Sequence, residues 1–291
     1  MKCLILAAGY ATRLYPLTEN FPKPLLEVAG KPILDWLMDD LDRTGMIDGY
    51  LVVTNHRFAP IFREWASRRM EDTSSGACGR PWPHEWEGPA PSGVGGMERS
   101  GRQPEVVSSI RQPITIIDDG TSTNETRLGA VRDIQLGIRE GRIEEDLLVM
   151  AGDNLLTFSL QGFLDYFREK GTSCVMRFWQ PDLEKLHKSG VAEVDAEGLI
   201  LSMEEKPAEP KAHWCCPPFY MYRKEDLPLV DVGIAEGCGV DAPGSFIAWL
   251  CARTSVHAWE MPGERLDIGN LESYHEAIAR FKNLNEAYGN H

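Results

Sequence analysis

The chain has 291 residues, 43% of them hydrophobic, which allows one large domain or two small ones with a sizeable core. With 30 basic and 44 acidic residues, its net charge of −14 argues against binding to nucleic acid or to an anionic membrane. Seven scattered cysteines without a C-x-x-C pair favour reduced thiols over a zinc site or a disulfide framework. No run approaches the ~18 apolar residues of a membrane span, and the N-terminal run is too short for a signal peptide. We therefore expect a soluble, cytoplasmic protein.

The first predicted element is a buried strand over residues 4–8, which ends in small residues. A polar loop follows it and contains Thr12, Arg13 and Lys23. Small residues such as Gly9 let a backbone approach a phosphate closely, and exposed N–H groups can bind it. Arg13 offers a planar fork for phosphate oxygens, and Lys23 offers a compact charge. The residues alone leave two interpretations open: a triphosphate-binding loop, or an ordinary turn with two surface cations.

Helix and strand patterns then alternate, which predicts an α/β fold with a doubly wound, mainly parallel sheet and right-handed crossovers. Residues 72–112 interrupt the alternation. They are rich in Gly and Pro and have little to bury, so we expect a flexible insertion there. The predicted helices of this half span about 30–45, 57–70 and 130–140, and the predicted strands span 50–54 and 114–118.

In the second half, a buried strand ends just before Asp153. Ligands of open α/β sheets bind beyond the carboxyl ends of the strands, where a carboxylate suits Mg²⁺. A turn or a helix cap at Asp153 is the alternative. Pro217 and Pro218 require the strand pattern at 214–222 to be bent or at an edge. The other predicted elements are a helix at 160–169, a strand at 174–179, a hairpin at 189–207 with its turn at 195–198, a helix from 241, a strand at 256–261 and a helix at 271–287.

Four segments resemble the sugar-1-phosphate nucleotidylyltransferases. The N-terminal stretch is similar to the family signature L-A-x-G-x-G-T-R-L-x-P-x-T followed by P-K-x-L, with Ala11 in place of the second glycine. If that position needs a positive φ, Ala11 is mildly strained. Gly152-Asp153 resembles the family's G-D. Residues 189–207 resemble its G-V-V-E-x-D…E-K-P segment, and Asp267-Ile-Gly resembles its D-x-G-T.

The resemblance implies a Rossmann-like nucleotidyltransferase domain over residues 1–291, with a small antiparallel hairpin subregion. It implies transfer of a nucleoside monophosphate from an NTP, dTTP or UTP, to a sugar 1-phosphate, with Mg²⁺ as cofactor and release of pyrophosphate. NTP and sugar 1-phosphate are the expected partners, without nucleic acid or membrane, and a homo-oligomer is left open. The implied site consists of catalytic Arg13, Lys23 and Lys206; nucleotide-binding Ala7, Ala8, Gly9, Thr12 and Gly129; sugar-phosphate-binding Gly190, Glu205 and Lys206; and metal-binding Asp153 and Asp267.

Two other functions remain open from the sequence. A cytidylyltransferase acting on phosphocholine would need acidic or aromatic groups for a cation, and Trp214 and Tyr220 are candidates. A non-catalytic nucleotide-sugar sensor would retain the fold, although retention of both aspartates and the three cations argues against it. The base is not readable, because residues 124–127 depart from the family's P-x-G-T-A pattern.

Overall fold

A computed structural model describes residues 1–71 and 111–288 of the protein. Much of the expected flexible insertion therefore lies outside the described residues. The strands are β1 (Lys2–Leu6), β2 (Glu27–Val28), β3 (Lys31–Pro32), β4 (Gly49–Thr54), β5 (Ile114–Asp118), β6 (Leu147–Ala151), β7 (Asn154–Leu156), β8 (Ser173–Trp179), β9 (Gly190–Val194), β10 (Ile200–Glu205), β11 (Trp214–Cys216), β12 (Phe219–Tyr222), β13 (Val256–Glu260) and β14 (Arg265–Asp267). The helices are α1 (Ile33–Thr44), α2 (Ala59–Glu71), α3 (Ala130–Glu140), α4 (Gln161–Lys170), α5 (Leu183–Leu186), α6 (Leu229–Ala235), α7 (Gly244–Cys251) and α8 (Leu271–Tyr288).

A ten-stranded mixed sheet forms the centre, in the order β10-β9-β11-β8-β12-β6-β1-β4-β5, with β13 paired to β8. Strands β6, β1, β4 and β5 are parallel neighbours. From β12 to β10 the neighbours are antiparallel. The predicted α/β fold is confirmed: its parallel core continues into an antiparallel half that contains the predicted hairpin. Strand β4 is buried along its whole length, which explains why its sequence shows no alternation.

Helices cover both faces of the sheet. Leu34 of α1, Phe62 of α2 and Phe163 of α4 belong to one buried apolar cluster. A second cluster fills the opposite face, with apolar residues from α3, α6 and α7. In a third cluster, Phe281 of α8 packs with Leu14 from the loop after β1. Helix α8 therefore buries part of the N-terminal loop. None of the helices in the described ranges has the length and apolarity needed to cross a membrane.

The predicted bend at Pro217 and Pro218 is confirmed, since the two prolines separate β11 from β12. The predicted turn at 195–198 is also confirmed, with Asp195 accepting backbone hydrogen bonds and Gly198 at a φ of 87°. Several short elements were not predicted, among them β7 and β14. Strands β7 and β14 form a separate antiparallel pair, in which Asp267 lies opposite Asn154.

Candidate functional site

One cleft, with a volume of about 490 Å³, collects most of the predicted site residues. Its walls come from the loops after β1 and β6, the β9–β10 hairpin, the β11–β12 bend, the segment that enters α7, and β14. The predicted site residues that line it are Arg13, Lys23, Asp153, Gly190, Glu205, Lys206 and Asp267.

Two carboxylates meet at the cleft around one ammonium group. Strand β14 pairs with β7, and in this pair Asp267 lies opposite Asn154, the residue that follows Asp153. The Nζ atom of Lys23 lies 2.6 Å from Oδ2 of Asp153 and 4.0 Å from Oδ1 of Asp267. The Lys23 side chain is nearly buried, at 10% exposure, whereas the two carboxylates are 32% and 53% exposed. The cleft therefore has a buried cation beneath two accessible carboxylates.

These carboxylates have suitable chemistry for a divalent metal ion. Both approach the same positive charge, and their oxygens are hard donors of the kind that Mg²⁺ prefers. Within the ranges 1–71 and 111–288, no group of three or more His, Cys, Asp or Glu side chains could hold a metal. A metal here would take at most two protein carboxylates and would draw its other ligands from substrate and water, as Mg²⁺ commonly does.

An arginine absent from our sequence interpretation joins these groups. Arg265, on β14, donates through Nη1 to Oδ1 of Asn154 at 2.6 Å, and the same nitrogen lies 3.8 Å from Oδ2 of Asp267. Asn154 in turn donates to Oδ1 of Asp153 at 2.9 Å. The sequence carried only a weak signal for Arg265, namely its position two residues before Asp267.

The opposite wall of the cleft contains a half-buried carboxyl group. Glu205 ends β10, and its Oε2 lies so close to α7 that a Cβ atom at Gly244 would be 2.1 Å away. A Cβ at Gly190 would be 2.9 Å from the same oxygen. Burial raises the pKa of Glu205 above the ordinary glutamate range, with Lys206 opposing this shift and Asp241 reinforcing it. Two glycines therefore make room for one carboxyl group in the cleft.

Lys206 has an unusual backbone for a residue with a side chain. Its φ is 52°, in the left-handed region, and its N–H donates to the carbonyl of Ser189 at 3.0 Å. Such a conformation costs of order 1–3 kcal/mol and is concentrated at functional sites. The exposed Lys188 also lines the cleft, and our sequence interpretation missed it. Neither lysine has an ion-pair partner within the part of the chain that the structure describes.

The N-terminal loop shows the predicted strain. Ala11 has φ 47° and ψ 43°, which is the left-handed conformation expected at the family's second glycine. Ala7 and Ala8 are buried, and the Asn55 amide donates to the Ala8 carbonyl at 3.0 Å. Gly9 is exposed, with no atom within 4 Å of an added Cβ. Of the residues predicted to bind the nucleotide, none lines the 490 Å³ cleft; they are Ala7, Ala8, Gly9, Thr12 and Gly129.

Gly129 packs against backbone rather than facing the cleft. It has a φ of 91°, and an added Cβ would lie 2.5 Å from the carbonyl oxygen of Val240. The amides of Ala130 and Val131 donate to the carbonyls of Asp241 and Val240, respectively. The first turn of α3 is therefore docked on the segment that leads into α7, and Asp241 of that segment also lines the cleft.

The chain belongs to the nucleotidyl transferase family, whose model matches residues 2–283. The chain is 23% identical over 276 residues to a glucose-1-phosphate adenylyltransferase of Fervidobacterium nodosum, with 94% of this chain and 59% of that protein covered. It thus spans about three fifths of the length of that relative. It is 24% identical to a UTP–glucose-1-phosphate uridylyltransferase of Haloferax volcanii, with 97% of both chains covered. A UDP-glucose pyrophosphorylase complexed with UDP-glucose shares the fold, at a TM-score of 0.72 and 19% identity, with 97% of this chain and 98% of that chain covered.

Proposed function

We propose that this protein transfers a nucleoside monophosphate from UTP or dTTP to a hexose 1-phosphate and releases pyrophosphate. The observation that carries the proposal is the cleft itself. It joins Lys23 and two carboxylates, Asp153 and Asp267, to a second wall with Glu205 and Lys206. A reaction between two phosphate-bearing substrates needs both a cation-rich junction and groups for the sugar.

The nucleotide side of the proposal rests on the N-terminal loop. Arg13 and Lys23 neutralise the triphosphate, and the open backbone at Gly9 lets phosphate oxygens approach N–H groups. Asp153 and Asp267 would hold Mg²⁺, which neutralises charge on the transferring phosphate when it is bound. Lys23, which pairs with Asp153 in the structure, lines the same cleft and would contact substrate phosphate oxygens there.

The acceptor side rests on the β9–β10 hairpin. Lys206 holds the acceptor phosphate, while Glu205 and the Gly190 backbone face sugar hydroxyls. A bond forms between the acceptor phosphate oxygen and the α-phosphorus, and the bond from the α-phosphorus to the bridging oxygen breaks, releasing pyrophosphate. The attacking oxygen is already ionised at neutral pH, so no general base is required. Catalysis then consists of alignment and charge neutralisation.

The choice of a pyrimidine nucleotide is the finer part of the proposal. It is supported by the Haloferax volcanii relative, a UTP–glucose-1-phosphate uridylyltransferase that matches this chain over 97% of both lengths. The structural neighbour with a TM-score of 0.72 is a UDP-glucose pyrophosphorylase. The sequence signature gave the same two candidates, UTP and dTTP.

The cleft is less suitable for phosphocholine. Of the aromatic candidates for a cation site, Tyr220 lines the cleft, but Trp214 does not, and the Arg177 guanidinium already lies 4.1 Å from the Trp214 ring centroid. Lys188 and Lys206 add positive charge to the acceptor wall, where a quaternary ammonium group would have to bind.

Pyrophosphate release by the purified protein tests the proposal. Five NTPs (UTP, dTTP, CTP, ATP and GTP) are each combined with hexose 1-phosphates or phosphocholine in the presence of Mg²⁺. We expect turnover with UTP or dTTP and a hexose 1-phosphate. Asp153→Asn should abolish turnover, whereas Asp165→Asn, an exposed change on α4, should leave it intact. A signal only with phosphocholine, or nucleotide binding without any turnover, would refute the proposal and favour the cytidylyltransferase or the sensor, respectively.

A further inference from the structure

Arg265 occupies the junction between the two halves of the cleft. On one side its Nη1 contacts Asn154 and approaches Asp267. On the other side its guanidinium carbon lies 5.9 Å from the Phe178 ring centroid. Its charge also lowers the pKa values of Cys215 and Tyr220, against the larger upward effect of their burial. Phe178, Cys215 and Tyr220 all line the cleft.

Much of the hydrogen-bonding capacity of Arg265 is not used by the protein. The guanidinium group has five N–H donors, and the described residues provide a hydrogen-bond acceptor only for Nη1. Nε is buried and has no partner. The side chain keeps 18% of its surface exposed and lines the cleft. The feature that points to a ligand is therefore the accessible part of the guanidinium: Nη2 has no acceptor among the described residues, and a ligand oxygen in the cleft could accept from it.

We propose that Arg265 is a further catalytic residue that binds the acceptor phosphate from the side of the two aspartates, while Lys206 binds it from the hairpin. The inference rests on the proposed transferase function. Arg265 lies where the acceptor phosphate must meet the α-phosphate, two groups that repel each other. A guanidinium group anchored by Asn154 keeps a fixed orientation and offers two N–H groups to one phosphate, which a lysine at the same position could not do.

Arg177 provides a matched control. It lies on β8, its side chain is 14% exposed, and its Nε is also buried without a partner. Its guanidinium packs on an aromatic ring, that of Trp214, and pairs with Glu260. Arg177 does not line the cleft. Arg177→Met and Arg265→Met each remove a largely buried guanidinium group, but only Arg265→Met removes a cation from the cleft.

The test compares Arg265→Met and Arg265→Lys with Arg177→Met. We expect kcat/KM for the hexose 1-phosphate to fall about 100-fold or more in Arg265→Met and about 10-fold in Arg265→Lys, relative to Arg177→Met. NTP binding, measured by titration calorimetry, should stay within about twofold of the control. Binding of Mn²⁺, measured by electron paramagnetic resonance, should also be unchanged, because the aspartates remain.

Calorimetry with hexose 1-phosphate and with inorganic phosphate separates this inference from the proposed function. If the wild type binds both phosphates but transfers no nucleotide, the proposed function fails, and loss of that binding in Arg265→Met still supports the assignment of Arg265. Three results overturn the assignment: acceptor kinetics and phosphate binding equal to those of Arg177→Met, a defect confined to NTP binding, or a loss of Mn²⁺ affinity with unchanged phosphate binding. The last result would mean that Arg265 acts only by positioning Asp267.

Discussion

Asp133 has a buried carboxyl group with few hydrogen-bond partners among the described residues. It lies in α3 at 6% exposure, and its Oδ1 has no hydrogen-bond partner within the described ranges of the chain. Asp119 lies nearby, and one of its own oxygens, Oδ2, is also buried and unpartnered. Burial and the neighbouring Asp119 raise the pKa of Asp133 to about 7. The folded protein therefore holds a proton on Asp133 that an unfolded chain, with a pKa of about 4, would release.

This raised pKa gives a prediction with a definite sign. Since the folded state binds the extra proton, the free energy of unfolding contributed by Asp133 falls as pH rises from about 4 to 7. Asn cannot ionise, so the stability of Asp133→Asn relative to the wild type should increase by roughly 2–3 kcal/mol between pH 5 and pH 8. Urea unfolding at both pH values measures the difference, with the exposed Asp165→Asn as control. A gain that is the same at pH 5 and pH 8 would contradict this account of Asp133.

At the scale of elements, one glycine at the start of α3 and one at the start of α7 let these helices pack closely against their neighbours. The atoms that face the two glycines differ in kind. An added Cβ at Gly244 meets the tip of the flexible Glu205 side chain. An added Cβ at Gly129 meets the Val240 backbone, at a φ of 91°. A flexible side chain can move aside, whereas docked backbone and a left-handed glycine cannot easily be changed.

Gly244→Ala and Gly129→Ala should therefore affect different properties, substrate binding in the first variant and stability in the second. Gly244→Ala displaces the Glu205 carboxyl, so we expect KM for the sugar phosphate to rise about 10-fold or more while the fold remains stable. Gly129→Ala should lower the free energy of unfolding by roughly 2 kcal/mol or more, because it combines a backbone clash with an unfavourable φ. Thermal unfolding and acceptor kinetics on both variants check this. Equal stability losses would show that Gly244 also holds the fold.

At the scale of the whole molecule, a buried ionic cluster fastens α1 to α2. The guanidinium of Arg69, 3% exposed, lies within 3.0 Å of carboxylates from Asp35, Asp39 and Asp42. Burial pushes the pKa of Asp39 upward, but Arg69 and Lys31 outweigh it, so the net direction is down. Arg69 and Lys31 together offset part of the negative charge of the three aspartates.

Arg69→Met should therefore be among the most destabilising substitutions of a buried residue. Breaking a buried pair leaves uncompensated charge, so we expect a loss of about 3–5 kcal/mol at pH 7. The loss should shrink as pH falls toward about 4, because the carboxylates, freed from Arg69, take up protons there more readily than those of the wild type. The neighbouring Arg68→Met is the control, since Arg68 is exposed and pairs with Glu64 on the same helix. Urea unfolding that showed equal effects for both variants would refute the role of the cluster.

The sequence by itself determined the order of the main helices and strands, the polar and basic composition of the N-terminal loop and seven of the residues that line the cleft. These features depend on local signals: apolar runs for buried strands, prolines for the bend between β11 and β12, and short motifs around Asp153, Lys206 and Asp267. The left-handed backbone at Ala11 lies where the family motif has a glycine. These features depend on residues that are close together in the sequence, so they can be predicted without a structure.

Only the tertiary structure decided how distant residues meet. Strands β7 and β14 have three residues each, too few for a recognisable pattern, yet their pairing brings Asp153, Asp267 and Arg265 together. The hydrogen bond from Arg265 to Asn154 spans 111 residues of sequence. The crowding of Glu205 by Gly244 is similarly non-local. Such contacts depend on packing between elements, and no periodicity or motif within either segment encodes the partner.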